Sequence, residues 1–520
     1  MLTGVLSDSS LARLRWIASA LFVGVFAYYV VMTFRWPIVW DAAVMHYIRF
    51  LLSRGLRPYS EITDMNLPGC YLIEGWAMSI FGWGDVSWRI YEFFLMAVVA
   101  LSGMVIGGSR RWLAGIYATA FFLVMHGSEG PIFAVERDEV MMVLLLFSTA
   151  IFFLAMRRLR PLLMLPFGLF SALAMSLKPS ALLLDLLLLA VALVVLRRRG
   201  ESPIPYLLWT VVGAGAVVAL VVRFFVHYDA FAGFLFIARS VVPGYANVSY
   251  TGPAFLLRHL VPVALMPLIV IGFVAALLQK SRIGWERAAL FCLMAVGAFS
   301  YFAQGKGAPY HRYMFVVAVL LWIGWELSDA MLREDMRSRV IGVAGVVLLF
   351  LPVVPYYIHI MQGFAHRGDQ PATLAFALQH DLTQLGGDGL QQQVACLDLV
   401  NGCLNALYRL RLVGNTGATG DLLLFAPTDG LAVEYYRRWF MDHDRVNPAT
   451  VVVLGNEWYQ NHTATFNKLN AWPQYAAYLN SMYVPVVERH FGPVPSDPAY
   501  RIYLRKGSAV LANEELHSLH

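Results

Sequence analysis

The ionisable side chains of this 520-residue chain are few, and several stand where long apolar runs end. Asp41 directly follows Trp36-Pro37-Ile38-Val39-Trp40, and a carboxylate there could accept a proton from a hydroxyl at a membrane surface. The same position suits an acid in the first turn of a helix, a role worth about 1 kcal/mol. Lys306, His311 and Arg312 fall within Gln304-Gly305-Lys306-Gly307-Ala308-Pro309-Tyr310-His311-Arg312-Tyr313. A glycine-bearing loop with three potential cations suits a phosphate, which takes charge-assisted hydrogen bonds from Lys and Arg. A solvated turn with interfacial anchors is the alternative, and the spacing is not that of a nucleotide P-loop.

Glu136-Arg137-Asp138-Glu139 opens an apolar run. Its acids complement a helix N-terminus, whereas Arg137 runs against that preference and is the more suggestive residue. Lys178-Pro179 tightly joins two apolar helices, so Lys178 either snorkels to headgroups or contacts a ligand. No zinc spacing, nucleophile elbow or dinucleotide fingerprint occurs.

The elements that must hold these groups follow from composition. Hydrophobic residues make up 59% and charged residues 14%, against about 25% charged in soluble proteins. With a mean hydropathy of +0.61 spread over many runs, the chain is a polytopic α-helical membrane protein. The net charge of +6 comes from arginines clustered between runs, such as Arg157, Arg158, Arg160 and Arg197–Arg199. That pattern sets topology and excludes a nucleic-acid surface.

Spans of about 20 apolar residues are expected near 16–36, 86–107, 112–128, 138–156, 161–177, 180–196, 205–226, 255–278, 286–303, 312–330 and 339–360, about eleven crossings. The N-terminus and the loops at Arg110/Arg111, Arg157–Arg160, Arg197–Arg199, Lys280/Arg282 and Arg333–Arg339 are then cytoplasmic. Counting 67–82 as a crossing would invert every later loop, so it is laid along the outer surface. Asp41 to Arg54, with apolar residues at helical spacing, reads as a second interfacial helix. The first external loop, 37–85, thus holds two interfacial helices and the irregular stretch from Pro58 to Gly69.

After residue 361 Gly, Gln, Asn and Asp become frequent, and 361–520 is expected to be an outer α/β domain beside the membrane module 1–360. Strands are expected at Val394–Leu399, Leu422–Phe425, Thr450–Leu454 and Tyr500–Leu504, and helices at Leu431–Met441 and Trp472–Ser481. Cys396 and Cys403 either pair or remain thiols. Asn247-Val248-Ser249 and Asn461-His462-Thr463 are sequons facing outside.

These residues carry a pattern. Asp41, Arg57-Pro58-Tyr59, Asp64-Met65-Asn66-Leu67-Pro68-Gly69, Trp88-Arg89, Arg137-Asp138, Lys178-Pro179 and Lys306-Gly307-Ala308-Pro309-Tyr310-His311 follow one another in an order that resembles the GT-C glycosyltransferases. The likeness lies within the group of protein O-mannosyltransferases and the lipid A aminoarabinose transferase, over roughly 15–360. It implies an extracytoplasmic active site and a sugar donor on a polyprenyl phosphate, with Asp41 as general base. Lys306 with His311 looks like the donor-phosphate contact, and Arg137 and Lys178 are similar to basic positions that hold the same phosphate. Asp64 is the second catalytic candidate, Arg312 a further phosphate contact, and Tyr59, Asn66, Asp138 and Tyr310 candidate substrate contacts. The chain departs from the mannosyltransferases in having Asp41-Ala42 where they carry Asp-Glu, and Asn66-Leu67-Pro68 where relatives have a basic residue before paired prolines.

One carboxylate among several cations implies a single displacement with inversion, unlike the two-carboxylate scheme of most glycosidases. The acceptor (lipid, glycan or protein), the sugar and a need for Mg or Mn stay open, with no second carboxylate evidently paired to Asp41. A bacterial inner-membrane setting is expected. The chief rival is a transporter or flippase of lipid-linked sugars, which would show inverted repeats and mid-membrane sites. A third possibility, a membrane-anchored binding protein, would place its function after residue 361.

Overall fold

Apolar runs closed by basic residues make the membrane module. Arg110/Arg111, Arg157/Arg158 and Arg197/Arg198 each occupy the last turn of a helix, where cations complement the exposed carbonyls. In the computed structural model, which describes residues 8–248, 250–279, 284–367, 370–398, 402–426, 430–457, 465–494 and 496–511, eight helices are long and apolar enough to cross a membrane. A ninth crossing results if Pro253–Leu260 and Val263–Leu278, bent by 48°, form one span. The other two expected crossings are shorter helices, Leu113–Glu129 of 17 residues and Pro161–Leu177. At 1.5 Å per residue such a helix covers about 25 Å, slightly less than a typical hydrocarbon core.

Burial grades outward. Pro309–Met331 and Arg137–Arg158 form the centre of the bundle, while Ala12–Thr33 and Ile204–Tyr228 lie at its edge with apolar side chains facing outward. One end of the bundle carries the basic loops. There Arg157 pairs with Glu286 at 2.8 Å, Arg287 with Glu326 at 2.7 Å and with Asp329 at 3.0 Å, and Arg111 with Asp329. Arg199 donates to the Met156 carbonyl at 2.8 Å and Arg333 to the Gln279 carbonyl at 2.8 Å. The basic loops therefore tie helix ends together as well as marking topology. Lys280 and Arg282 lie outside the described residues.

At the opposite end the first loop forms two helices, Trp40–Ser53 and Pro68–Phe81. The first is covered nearly all round. His46 pairs with Glu74 of the second helix at 2.7 Å and meets the Tyr408 hydroxyl at 3.2 Å, and the Tyr47 hydroxyl accepts from the Gly414 N–H at 2.9 Å. The expected membrane-lying helix is thus also the floor on which the C-terminal domain rests.

That domain holds a four-stranded sheet of order β1-β2-β4-β3, with β1 Val394–Leu397, β2 Val451–Gly455, β3 Tyr483–His490 and β4 Ala499–Arg505. β1 and β2 run parallel and the other neighbours antiparallel. The expected helices are present as Leu431–Val446 and Pro473–Met482. Leu422–Phe425 is a turn, contrary to the expected strand, because Arg437 takes the Leu424 and Ala426 carbonyls at 2.8 and 3.2 Å that a ladder would need. β3 was not expected. It carries Pro485, Glu488, Arg489 and His490, a composition suited to the edge position it occupies. Cys396 and Cys403 form a disulfide with Cα atoms 5.7 Å apart. The 360/361 boundary falls inside the helix Val354–Arg367. Leu399, Ser249 and the sequon Asn461-His462-Thr463 lie outside the described residues.

Candidate functional site

Three residues with left-handed backbone stand where the chain turns into the site. Trp40, Tyr59 and Val135 have φ of 51°, 65° and 57°. For side chains other than glycine this costs about 1–2 kcal/mol each, and such strain persists only where surrounding structure enforces it. Trp40 and Val135 lie next to Asp41 and Glu136-Arg137, and Tyr59 anchors the intervening loop by donating its hydroxyl to the Asn66 carbonyl at 2.6 Å.

These turns deliver Asp41, Asp64, Asn66 and Arg137 to one cavity of about 510 Å³, whose wall also carries Lys178, Lys306, Tyr310 and His311. Arg137 Nη2 meets Asp41 Oδ2 at 2.8 Å, and its Nη1 reaches Asn66 Oδ1. Asn66 in turn donates its amide to both oxygens of Asp64, at 2.9 and 2.8 Å. Asp64 also accepts from the Tyr71 hydroxyl at 2.7 Å and the Met65 N–H at 2.8 Å. Its lone pairs are therefore committed to orienting Asn66, whereas Asp41 Oδ1 has no donor in any described contact.

Gly69 closes the Asn66-Leu67-Pro68-Gly69 motif for a steric reason. A Cβ there would stand 2.0 Å from Ser176 Oγ and 2.4 Å from the Ser176 carbonyl. Only glycine lets the second interfacial helix approach the chain two residues before Lys178.

Behind the wall, Asp138 organises the cations. It accepts from Lys178 on Oδ2 and from Gln304 Nε2 on Oδ1 at 2.9 Å, while Lys178 also donates to Gln304 Oε1. His311 Nε2 lies 3.9 Å from the same carboxylate. Burial pulls the Lys178 ammonium below its ordinary range, with Asp138 opposing. Lys306 stands apart, its ammonium 3.3 Å from the centre of the Tyr245 ring. Burial, reinforced by nearby Arg137, pulls it down to about 7. Burial pushes the Glu136 carboxyl well above the usual range, and the Asp41 charge adds to this.

The soluble domain completes the cavity with Thr419, Gly420, Leu422, Leu423 and Tyr436. Thr63 N–H donates to the Gly417 carbonyl at 3.0 Å, Thr419 donates its hydroxyl to the Thr63 carbonyl, and Trp439 Nε1 donates to the Ser60 carbonyl at 3.0 Å. A Cβ on Gly417 would stand 1.8 Å from the Glu61 carbonyl oxygen, so glycine is required for this approach.

No protein-family model matches the sequence, and no curated protein matches it significantly. Among solved structures, the Archaeoglobus fulgidus oligosaccharyltransferase tethered to an acceptor peptide containing the NVT sequon superposes with a TM-score of 0.54. The identity is 10%, over 90% of this chain and 73% of that one. ArnT from Cupriavidus metallidurans in the apo state superposes with a TM-score of 0.53 at 14% identity, over 94% and 97%. The chain has the GT-C fold.

Within the GT-C fold, Asp41, Asp64, Asn66, Arg137, Lys178, Lys306, Tyr310 and His311 line the one cavity. Three other expected contacts are not on its wall. Arg312 turns to Glu129 at 3.0 Å and to the His259 carbonyl at 2.6 Å, Tyr59 braces the loop, and Asp138 is buried behind Lys178. Trp88-Arg89 is also structural: Arg89 is fully buried, donates to Thr33 Oγ1 at 2.8 Å and pairs with Glu92.

Sequence reasoning missed Gln304, Tyr245 and the soluble-domain residues Thr419, Leu423 and Tyr436. Gln304 could have been found from its place beside Gly305-Lys306; the others carry no local signal.

Mg or Mn is held through one or two protein carboxylates, with water and substrate phosphate oxygens completing the shell. On this wall both Asp64 oxygens accept from N–H or O–H donors and Asp41 Oδ2 is paired to Arg137, so the residues as placed offer a divalent ion one open carboxylate oxygen, Asp41 Oδ1. Glu92, His126 and Glu139 converge elsewhere, buried in the bundle, but Arg89 is already on Glu92.

Proposed function

We propose that this chain is a membrane glycosyltransferase that moves a sugar from a polyprenyl-phosphate donor to a hydroxyl-bearing acceptor at the outer face of a bacterial inner membrane. The observation that carries this reading is one carboxylate with a free oxygen, Asp41, on the same wall as Arg137, Lys178 and Lys306. The wall lies at the end of the bundle opposite the basic loops, which on this reading is the end that meets the headgroups and a lipid-borne phosphate.

Asp41 takes the proton of the acceptor hydroxyl as its oxygen bonds to the anomeric carbon. The bond from that carbon to the phosphate oxygen breaks, and the second negative charge appearing on the polyprenyl phosphate is met by Lys178, Lys306 and His311. Attack opposite the leaving phosphate inverts the anomeric configuration. Arg137 fixes the rotamer of Asp41, and Asp64 fixes Arg137 through Asn66, a positioning role rather than a second base.

The gathering of charged groups at one end, rather than at mid-membrane, supports transfer over the flippase reading. The test is release of polyprenyl phosphate from a purified polyprenyl-phosphate sugar by wild type and Asp41→Asn. Equal turnover by the two would remove Asp41 from the reaction.

A further inference from the structure

A second cavity, of about 240 Å³, opens where the N-terminus of the Asp85–Arg111 helix meets the soluble domain. Gly84, Asp85, Gln379, Tyr408, Arg409 and Arg411 line it. Arg409 is committed: its guanidinium forks onto both oxygens of Asp85 at 2.9 and 2.8 Å, and its Nε donates to Asn405 at 3.0 Å. Arg411 is not. Its guanidinium lies over the rings of Trp83 and Tyr408, 4.9 and 4.3 Å from their centres, with no ion pair among the described residues. Its Nη1 is buried without a hydrogen-bond partner. With Asp85 neutralised by Arg409, the lining keeps one uncompensated positive charge, beside a helix N-terminus and the Gln379 amide.

The surroundings say what kind of anion reaches it. Trp83 is exposed, as aromatic residues at a membrane–water boundary are. From the cavity down the Asp85–Arg111 helix, Val86, Ile90, Phe94 and Leu101 are all exposed, and their spacing puts them on one helix face. Such a stripe is where a lipid chain lies, and its upper end is the Arg411 cavity. The site is separate from the catalytic one. The helix Pro68–Phe81, 14 residues or about 20 Å long, stands between Asn66 on the catalytic wall and Trp83.

We propose that this cavity binds the phosphate of an anionic phospholipid, with the headgroup on Arg411 and an acyl chain along the Val86–Leu101 stripe. The geometry rests on the chain spanning a membrane and not on the transfer reaction, so the two readings fail independently. Arg is suited to the task because its planar donors match phosphate oxygens and its faces stack on rings. The site would couple lipid binding to the seating of the soluble domain, since Arg411 and Tyr408 belong to that domain and Trp83 to the membrane module.

The experiment is native mass spectrometry of the full-length protein in neutral detergent. Dioleoylphosphatidylglycerol, dioleoylphosphatidylcholine or inorganic phosphate is added to wild type, Arg411→Gln and Gln379→Glu. Wild type should retain a phosphatidylglycerol about tenfold more tightly than phosphatidylcholine, as for loss of a charged hydrogen bond, and Arg411→Gln should abolish the preference. Gln379→Glu should abolish it too, by adding a carboxylate to the cavity while leaving the Arg411 stack in place, and it serves if Arg411→Gln does not fold. Equal retention of phosphatidylglycerol by wild type and a folded variant overturns the proposal. Arg411-dependent binding of inorganic phosphate without a phosphatidylglycerol preference marks a free-anion site and overturns it as well.

Discussion

Arg137 holds Asp41 by one contact, Nη2 to Oδ2 at 2.8 Å, and leaves the other carboxylate oxygen facing the cavity. A salt bridge of this form fixes the carboxylate while leaving one oxygen for the proton transfer proposed above. Asp41→Asn removes the base but keeps a similar shape. Its turnover should fall about 10²- to 10⁴-fold, the range of general-base catalysis, with donor KM and thermal unfolding close to wild type. Steady-state kinetics with a purified polyprenyl-phosphate sugar checks this.

Lys306 gives a pH dependence. Its ammonium titrates at about 7, so it is a cation below that pH and neutral above it. Donor KM should therefore rise as pH increases through about 7. Arg stays charged throughout this range. In Lys306→Arg the same KM profile should be flat to pH 9, and a rise as steep as in wild type would place the titrating group elsewhere.

The Asp138 cluster is a stability device as well as a support for the cations. Lys178→Met leaves the buried Asp138 carboxylate without its ion partner, which should destabilise the fold by about 3–5 kcal/mol. The double variant Lys178→Met/Asp138→Leu should recover part of that loss, because neither charge is stranded. Denaturant or thermal unfolding in detergent, read as a double-mutant cycle, gives the coupling.

Gly417 tests whether the soluble domain belongs to the site. Gly417→Ala would put a methyl 1.8 Å from the Glu61 carbonyl oxygen, so the segment carrying Thr419 and Leu423 must move off the Thr63 backbone. The expected outcome is a drop in kcat of at least about tenfold, as for loss of catalytic positioning, with the Cys396–Cys403 disulfide still formed by mass spectrometry. Unchanged kinetics would confine catalysis to the membrane module.

Several features were legible because they depend on local composition. Apolar runs and their terminal arginines marked the spans, and 1.5 Å per residue makes run length a direct measure of bilayer thickness. Two of the expected crossings form helices shorter than the rest, since a sequence window does not show where a helix such as Leu113–Glu129 stops. In the soluble domain Leu422–Phe425 is a turn and not the expected strand, its Leu424 and Phe425 N–H groups bonding back to the Asp421 carbonyl and its Leu424 carbonyl going to Arg437, 13 positions away. Strand identity depends on a partner, and the partner is not in the window.

The sequence by itself determined that this is a polytopic membrane protein whose scarce charges sit at helix ends, and it named the Asp, Arg, Lys and His residues of the cavity wall. Tertiary structure decided how those charges are used. Asp41, Asp64 and Asp138 are alike in sequence, yet one keeps an oxygen free, one is saturated by Asn66, Tyr71 and Met65, and one is buried under Lys178. Likewise Arg312 follows His311 directly but faces Glu129 instead of the cavity. A carboxylate or guanidinium takes its role from the donors and acceptors within about 3 Å of it; for Asp41, Asp138 and Arg312 those partners lie 96, 40 and 183 residues away, whereas those of Asp64 are its sequence neighbours, whose side chains only the folded loop turns onto it.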